Sequence, residues 1–273
     1  MQAAEMHRQH LIRLIQRPPV ATYSLLGVIT LVYAGLLYAN SLFMGGFTAQ
    51  PGLMLLHGAT WSEPVRDHGE YYRLVSAIFV HANLIHLLLN GYGLHILGPA
   101  LEKFYGWQKF LIIFVFSGLG GTAATLFFGN VPSVGASGAI FGIIGGTGVL
   151  GLKYRKLLPK EIASRMTRGA VILFVANVAI GMMVPNIDMA AHLGGAAAGV
   201  AITFVVPSDI IRRKNRVVLR TLVVLVFAGV SVWGIYGMAK KTVECGGSLA
   251  QMDACYAEQL PEAVQRPPES SAQ

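Results

Sequence analysis

The chain has 273 residues, of which 54% are hydrophobic and only 12% charged, and its mean hydropathy is +0.56. Charge at about half the roughly 25% usual in soluble proteins excludes a soluble domain with a large core and predicts an all-α integral membrane protein. The net charge of +8 does not indicate nucleic acid as a partner, because the basic residues gather in a few short loops where membrane topology accounts for them.

Residues 1–21 carry Arg8, Arg13 and Arg17 without a cleavable apolar core, and read as a short cytoplasmic amphipathic segment. Seven apolar runs then follow at 22–44, 81–101, 110–130, 134–152, 169–187, 189–206 and 221–239, near the roughly 20 residues that a helix needs to cross a bilayer. The loop at 45–72 holds Trp61, Tyr71 and Tyr72, aromatic residues suited to the headgroup layer. Residues 207–239 form a basic loop and the seventh span. The polar tail 240–273 contains the only cysteines, Cys245 and Cys255, which do not have zinc-ligand spacing.

Lys and Arg set the orientation. With the N-terminus in the cytoplasm, 16 of the 21 basic residues fall on the cytoplasmic side and the tail lies outside. Cys245 and Cys255 then face a compartment where a disulfide persists, and both the bonded and the free state remain open. In this topology spans two, four and six all enter from the outer surface. His86 and Asn90 in span two, Ser137 as the fourth residue of span four and His192 as the fourth residue of span six then share a layer within roughly 15 Å of that surface.

Polar groups inside a bilayer are costly and mark functional positions. Ser137 by itself is equally a small residue for helix packing. Its setting favours a nucleophile: Gly135 and Gly138 leave room for a substrate backbone, and free N–H groups at a helix N-terminus stabilise an oxyanion. His192 is either a general base or a structurally bonded imidazole. Gly194, Gly195 and Gly199, facing Gly138, Gly142, Gly145 and Gly146, would let two helix backbones approach until serine and imidazole touch. His86 and Asn90 are one turn apart on one face, either as oxyanion donors or as an interhelical pair. His81 lies at the mouth and orders loop or water; His95 is deeper and structural. Asp188, four residues before His192, reads as a helix cap rather than as a third catalytic group. No H-E-x-x-H motif is present, and no metal site is expected.

Together these residues resemble the rhomboid intramembrane serine proteases. The resemblance rests on Gly135-Ala136-Ser137-Gly138, on Ala191-His192-Leu193-Gly194-Gly195 with Gly199, and on His81, His86 and Asn90 at the family's spacing. Tyr72-Arg73 is similar to the family's Trp-Arg pair, and Glu102 with Gly106 to its Glu-x-x-x-Gly. The resemblance implies a six-helix catalytic core at 22–206 plus one C-terminal transmembrane helix. It implies attack by Ser137 on a peptide bond, with His192 as base and an oxyanion hole of His86, Asn90 and the Ser137 N–H. Substrates would be single-span membrane proteins cut near the outer edge of the span within the lipid bilayer, with no cofactor. Phe141 stands where the family often has a tyrosine stacked on the histidine. A bacterial inner membrane is the expected location. The competing readings are a catalytically silent rhomboid-like protein that binds membrane clients, and a seven-span transporter or receptor whose polar groups would line a path through the bilayer.

Overall fold

The computed structural model describes residues 2–44, 58–129, 132–184 and 187–211. The seventh apolar run, Cys245 and Cys255 lie outside the described residues. Within them the chain is helical, with nine helices: α1 (Gln2–Ile15), α2 (Val20–Met44), α3 (Ser62–Arg66), α4 (Arg73–Phe79), α5 (Leu84–Tyr105), α6 (Trp107–Phe128), α7 (Ser137–Lys153), α8 (Lys160–Met183) and α9 (Met189–Val205). Among the described residues, four helical stretches are long and apolar enough to cross a membrane: Ala4–Tyr38, Leu84–Tyr105, Trp107–Phe128 and Lys160–Met183. Helices α7 and α9 are apolar but shorter, at 17 residues each.

Helix boundaries depart from the apolar runs wherever a cap or a turn intervenes. The second run begins as loop: α4 ends at Phe79, ahead of the run, and α5 starts only after Asn83, whose side chain accepts the His86 N–H at 2.8 Å. An asparagine in this position satisfies a donor that has no partner inside the helix. The fourth run begins as loop, so Ser137 is the first residue of its helix and not the fourth. Helix α8, which holds the fifth run, starts at Lys160, nine residues ahead of the apolar run, because the polar residues after Pro159 are already helical. Gly106, at φ +77°, is the single residue between α5 and α6; a left-handed backbone favours glycine there.

The centre of the bundle is α6, α7 and α9. In lipid, helices gain little from hiding apolar surface and associate through close packing instead. Glycine makes that packing possible here. A Cβ added at Gly195 would lie 2.1 Å from the Gly138 carbonyl oxygen, and one at Gly199 would lie 2.3 Å from the Gly142 Cα. On the other side of α9, a Cβ at Gly194 would lie 2.6 Å from the Gly120 oxygen of α6. Backbone therefore meets backbone across both interfaces.

At one end of the bundle, Leu11 and Leu14 of α1 join a buried cluster with Phe104, Tyr154, Leu158 and Ile210. Buried Asp209 accepts from Arg17 at 2.6 Å and from Lys109 at 2.9 Å. Buried Glu102 accepts the backbone N–H groups of Ala21 and Thr22, each at 2.8 Å, and the Thr22 hydroxyl at 2.7 Å. A carboxylate on those N–H groups caps α2 and complements its dipole.

At the opposite end the loop before α4 is held by buried Arg73. Its Nε donates to Glu70 at 2.5 Å and its Nη1 to the Ala59 carbonyl at 3.0 Å. Its guanidinium lies 5.0 Å from the Trp61 ring centroid and 5.4 Å from that of Tyr72. Tyr72 thus supplies an aromatic face to Arg73.

Candidate active site

The site is built where α7 and α9 begin. Thr60 and Ser133 exchange two backbone hydrogen bonds, of 2.9 and 2.8 Å, and the Gly135 N–H donates to the Ala77 carbonyl at 2.8 Å. These bonds tie the segment before Ser137 to the loop that Arg73 organises. Gly135 then turns at φ +110° and delivers Ser137 to the first position of α7. At that position the N–H groups of Ser137 and Gly138 have no acceptor inside the helix.

His192 lies in the first turn of α9, and its Nε2 is 2.9 Å from the Ser137 hydroxyl oxygen. With the imidazole proton on Nδ1, Nε2 accepts from that hydroxyl, which is the contact that activates a serine. The Phe141 ring, one turn along α7 from Ser137, stacks on His192 with centroids 4.2 Å apart and planes 14° apart. The edge of Phe174 in α8 supports Phe141 in turn, at 6.1 Å.

Gly135 and Gly138 do not leave the open room expected for a substrate backbone. A Cβ at Gly135 would lie 2.6 Å from the His86 ring and 3.6 Å from the Asn90 amide nitrogen, and one at Gly138 would lie 3.1 Å from the Ala191 oxygen. Both glycines are close-approach positions filled by protein. The same contacts place the side chains of His86 and Asn90 beside the turn that precedes Ser137. Asn90 is buried and donates to the His86 carbonyl at 2.9 Å. His81 is also buried, donates from Nδ1 to the Phe79 carbonyl at 3.2 Å, and meets the His86 ring edge-on at 5.2 Å. His95 lies elsewhere, 5.8 Å from the Tyr23 ring.

Asp188 does not bond the His192 ring. Its carboxylate accepts the Ala191 N–H at 3.1 Å and the Thr125 hydroxyl at 2.5 Å, while His192 Nδ1 is buried with no partner among the described residues. Asp188 is therefore the cap of α9. Thr125 of α6, and the carbonyl of Ala77, escaped sequence reasoning. Thr125 lies one turn after Gly121 on one face of an apolar helix, but nothing in the sequence joins it to Asp188, 63 residues away. Among the described residues no group of three or more His, Cys, Asp or Glu side chains is arranged to hold a metal ion.

The sequence model of the Rhomboid domain matches residues 68–209, a stretch that includes Ser137, His192, His86 and Asn90. The chain is 36% identical over 131 residues to Rhomboid protease GluP of Bacillus subtilis (strain 168), covering 48% of this chain and 25% of that protein. It is 33% identical over 176 residues to RHOMBOID-like protein 2 of Arabidopsis thaliana, covering 60% and 54%. It is also 33% identical over 155 residues to Rhomboid-like protease 3 of Toxoplasma gondii, covering 55% and 56%. The matched stretches span a quarter to just over half of these relatives.

Proposed function

The chain belongs to the rhomboid family of intramembrane proteases, and from that premise we propose that it is an active serine endopeptidase that cuts single-span membrane proteins near the outer edge of the span. The observation that carries this reading is the 2.9 Å contact between His192 Nε2 and the Ser137 hydroxyl. Ser137 Oγ attacks the scissile carbonyl carbon, and its proton passes to His192 Nε2. The carbonyl oxygen becomes an oxyanion that accepts from the Ser137 N–H, the Asn90 amide and the His86 ring. Preorganised donors of this kind are each worth about 10²–10³ in rate. As the tetrahedral adduct collapses, the C–N bond breaks and the leaving amine takes the proton from His192. Water, deprotonated by the same imidazole, then hydrolyses the acyl-enzyme. The stacked Phe141 ring holds the base in plane, and among the described residues no carboxylate bonds the His192 ring to complete a triad.

The same proposal assigns residues 22–206 to a six-span catalytic core, 207–239 to a loop and seventh span, 1–21 to a cytoplasmic segment and 240–273 to an outer tail. It places the protein in a bacterial inner membrane with its N-terminus inside. Labelling of the purified protein with a fluorophosphonate probe tests the chemistry. The parent is expected to label, and Ser137→Ala and His192→Ala to lose nearly all labelling. Equal labelling of Ser137→Ala would remove it as nucleophile. A folded parent that neither labels nor cleaves any membrane substrate would instead fit a silent client-binding relative.

A further inference from the structure

We propose that Asp188 is a positioning residue: joined to Thr125 of α6, it sets the first turn of α9 so that His192 stands opposite Ser137. The inference rests on the proteolytic reading above. His192 has no protein partner on Nδ1 among the described residues, so no carboxylate steers its ring. The place of the imidazole then depends on Phe141 and on where the α9 backbone lies. Asp188 controls that backbone from both of its ends. Its carbonyl accepts the His192 N–H at 3.3 Å, and its carboxylate accepts the Ala191 N–H at 3.1 Å. The other carboxylate oxygen takes the Thr125 hydroxyl at 2.5 Å, with Thr125 almost fully buried. A charge-assisted bond in such surroundings is strong and directional.

One turn before Thr125, Gly121 supplies the steric half of the same device. A Cβ there would lie 2.8 Å from the Ala191 oxygen and 3.4 Å from the Gly138 Cα. Gly121 thus touches the residue before His192 and the residue after Ser137. Helix α6, which carries neither reacting group, is the common surface against which α7 and α9 are registered. The Thr125–Asp188 bond locks that register at the active end. The hydroxyl-to-imidazole distance tolerates little slack, since a displacement of about 1 Å in a reacting geometry costs on the order of 10²-fold in rate.

The test compares Asp188→Asn, Asp188→Ala, Thr125→Val and the Thr125→Val/Asp188→Ala double variant in the full-length protein. Asparagine keeps an acceptor for the Ala191 N–H and an amide that donates to the Thr125 oxygen, but removes the charge. Two readouts are taken: cleavage kinetics with fluorophosphonate labelling, and the ¹⁵N resonances of His192, whose Nε2 signal in the parent is calibrated against Ser137→Ala. Asp188→Asn is expected to stay within about three-fold of the parent. Asp188→Ala and Thr125→Val are expected to lose about ten-fold or more in kcat with little change in KM. The double variant should be no worse than Asp188→Ala, because both changes break one interaction. The His192 signal should move towards that of Ser137→Ala in the two disrupting variants and not in Asp188→Asn. Asp188→Asn falling as far as Asp188→Ala with the His192 signal unchanged would show action through charge and overturn the proposal. Parent-like behaviour of Asp188→Ala and Thr125→Val would overturn it as well. If the parent itself proves inert, the proteolytic reading fails, and the resonances still decide whether the bond positions His192.

Discussion

Ser137 and His192 are held by different means. Ser137 is placed by backbone alone, through the left-handed turn at Gly135 and the Gly135–Ala77 hydrogen bond of 2.8 Å. His192 is placed by its helix and by the parallel face of Phe141 at 4.2 Å. Ring pairs of this kind contribute about 0.5–1.5 kcal/mol beyond the area they bury. Phe141→Ala is therefore expected to slow cleavage by about two- to twelve-fold, an energy range that matches that contact. Phe141→Tyr keeps the face and should remain near the parent in a single-turnover assay. A Phe141→Ala protein as fast as the parent would remove the ring from the mechanism. Asn90 is argued from its place beside Gly135. Asn90→Ala is expected to slow turnover on a model membrane substrate by about 10²-fold, the usual loss for one oxyanion donor, while sparing fluorophosphonate labelling more than His192→Ala does. Unchanged turnover would take Asn90 out of the oxyanion hole.

At the scale of elements, the contact between α7 and α9 is a contact of backbones. The Cβ of an alanine at Gly199 would sit 2.3 Å from the Gly142 Cα, and that of an alanine at Gly195 would sit 2.1 Å from the Gly138 oxygen. Neither neighbour is a flexible side chain that could move aside. Gly199→Ala and Gly195→Ala are expected to destabilise the fold by about 1–3 kcal/mol, the usual range for overpacking, and to separate His192 from Ser137. Gly27 in α2 has nothing within 4 Å of such a Cβ, so Gly27→Ala should be neutral or stabilise by up to about 1 kcal/mol through helix propensity. Reversible unfolding in detergent micelles checks both, and equal stability of Gly195→Ala and Gly27→Ala would refute the close-packing account. The glycine pattern was legible in the sequence because spacing on a helix is periodic. The start of α7 was not: an apolar run from Val134 hides the point at which Gly135 turns the chain out of helical geometry.

At the scale of the molecule, four helical stretches among the described residues are long enough to span a bilayer, and the chain is an integral membrane protein. Its basic residues predict the N-terminus inside. Single cysteines at Asp67 and at Lys156, both exposed, test this in a background with Cys245 and Cys255 replaced by serine. An impermeant maleimide applied to intact cells should label position 67 and spare position 156 until the membrane is opened. The reverse pattern would invert the topology. The ends of the molecule also differ physically. One is stitched by ionic contacts of Asp209 with Arg17 and Lys109, and the other by Arg73 stacked between Trp61 and Tyr72. The second set lies next to the segment that carries Ser137.

By itself the sequence determined that the chain lives in a membrane, which runs are apolar, where the polar exceptions stand and which family they resemble. Those properties are local: hydropathy, periodicity and the identity of a few side chains at fixed spacing. The tertiary structure alone decided that Ser137 opens its helix, that Gly135 and Gly138 are filled by protein, and that Asp188, read from the sequence as a helix cap, also reaches Thr125. Each of these depends on how three helices from distant parts of the chain register against one another. That register is set by backbone contacts and single hydrogen bonds across 50 or more residues, which leave no periodic mark on the sequence.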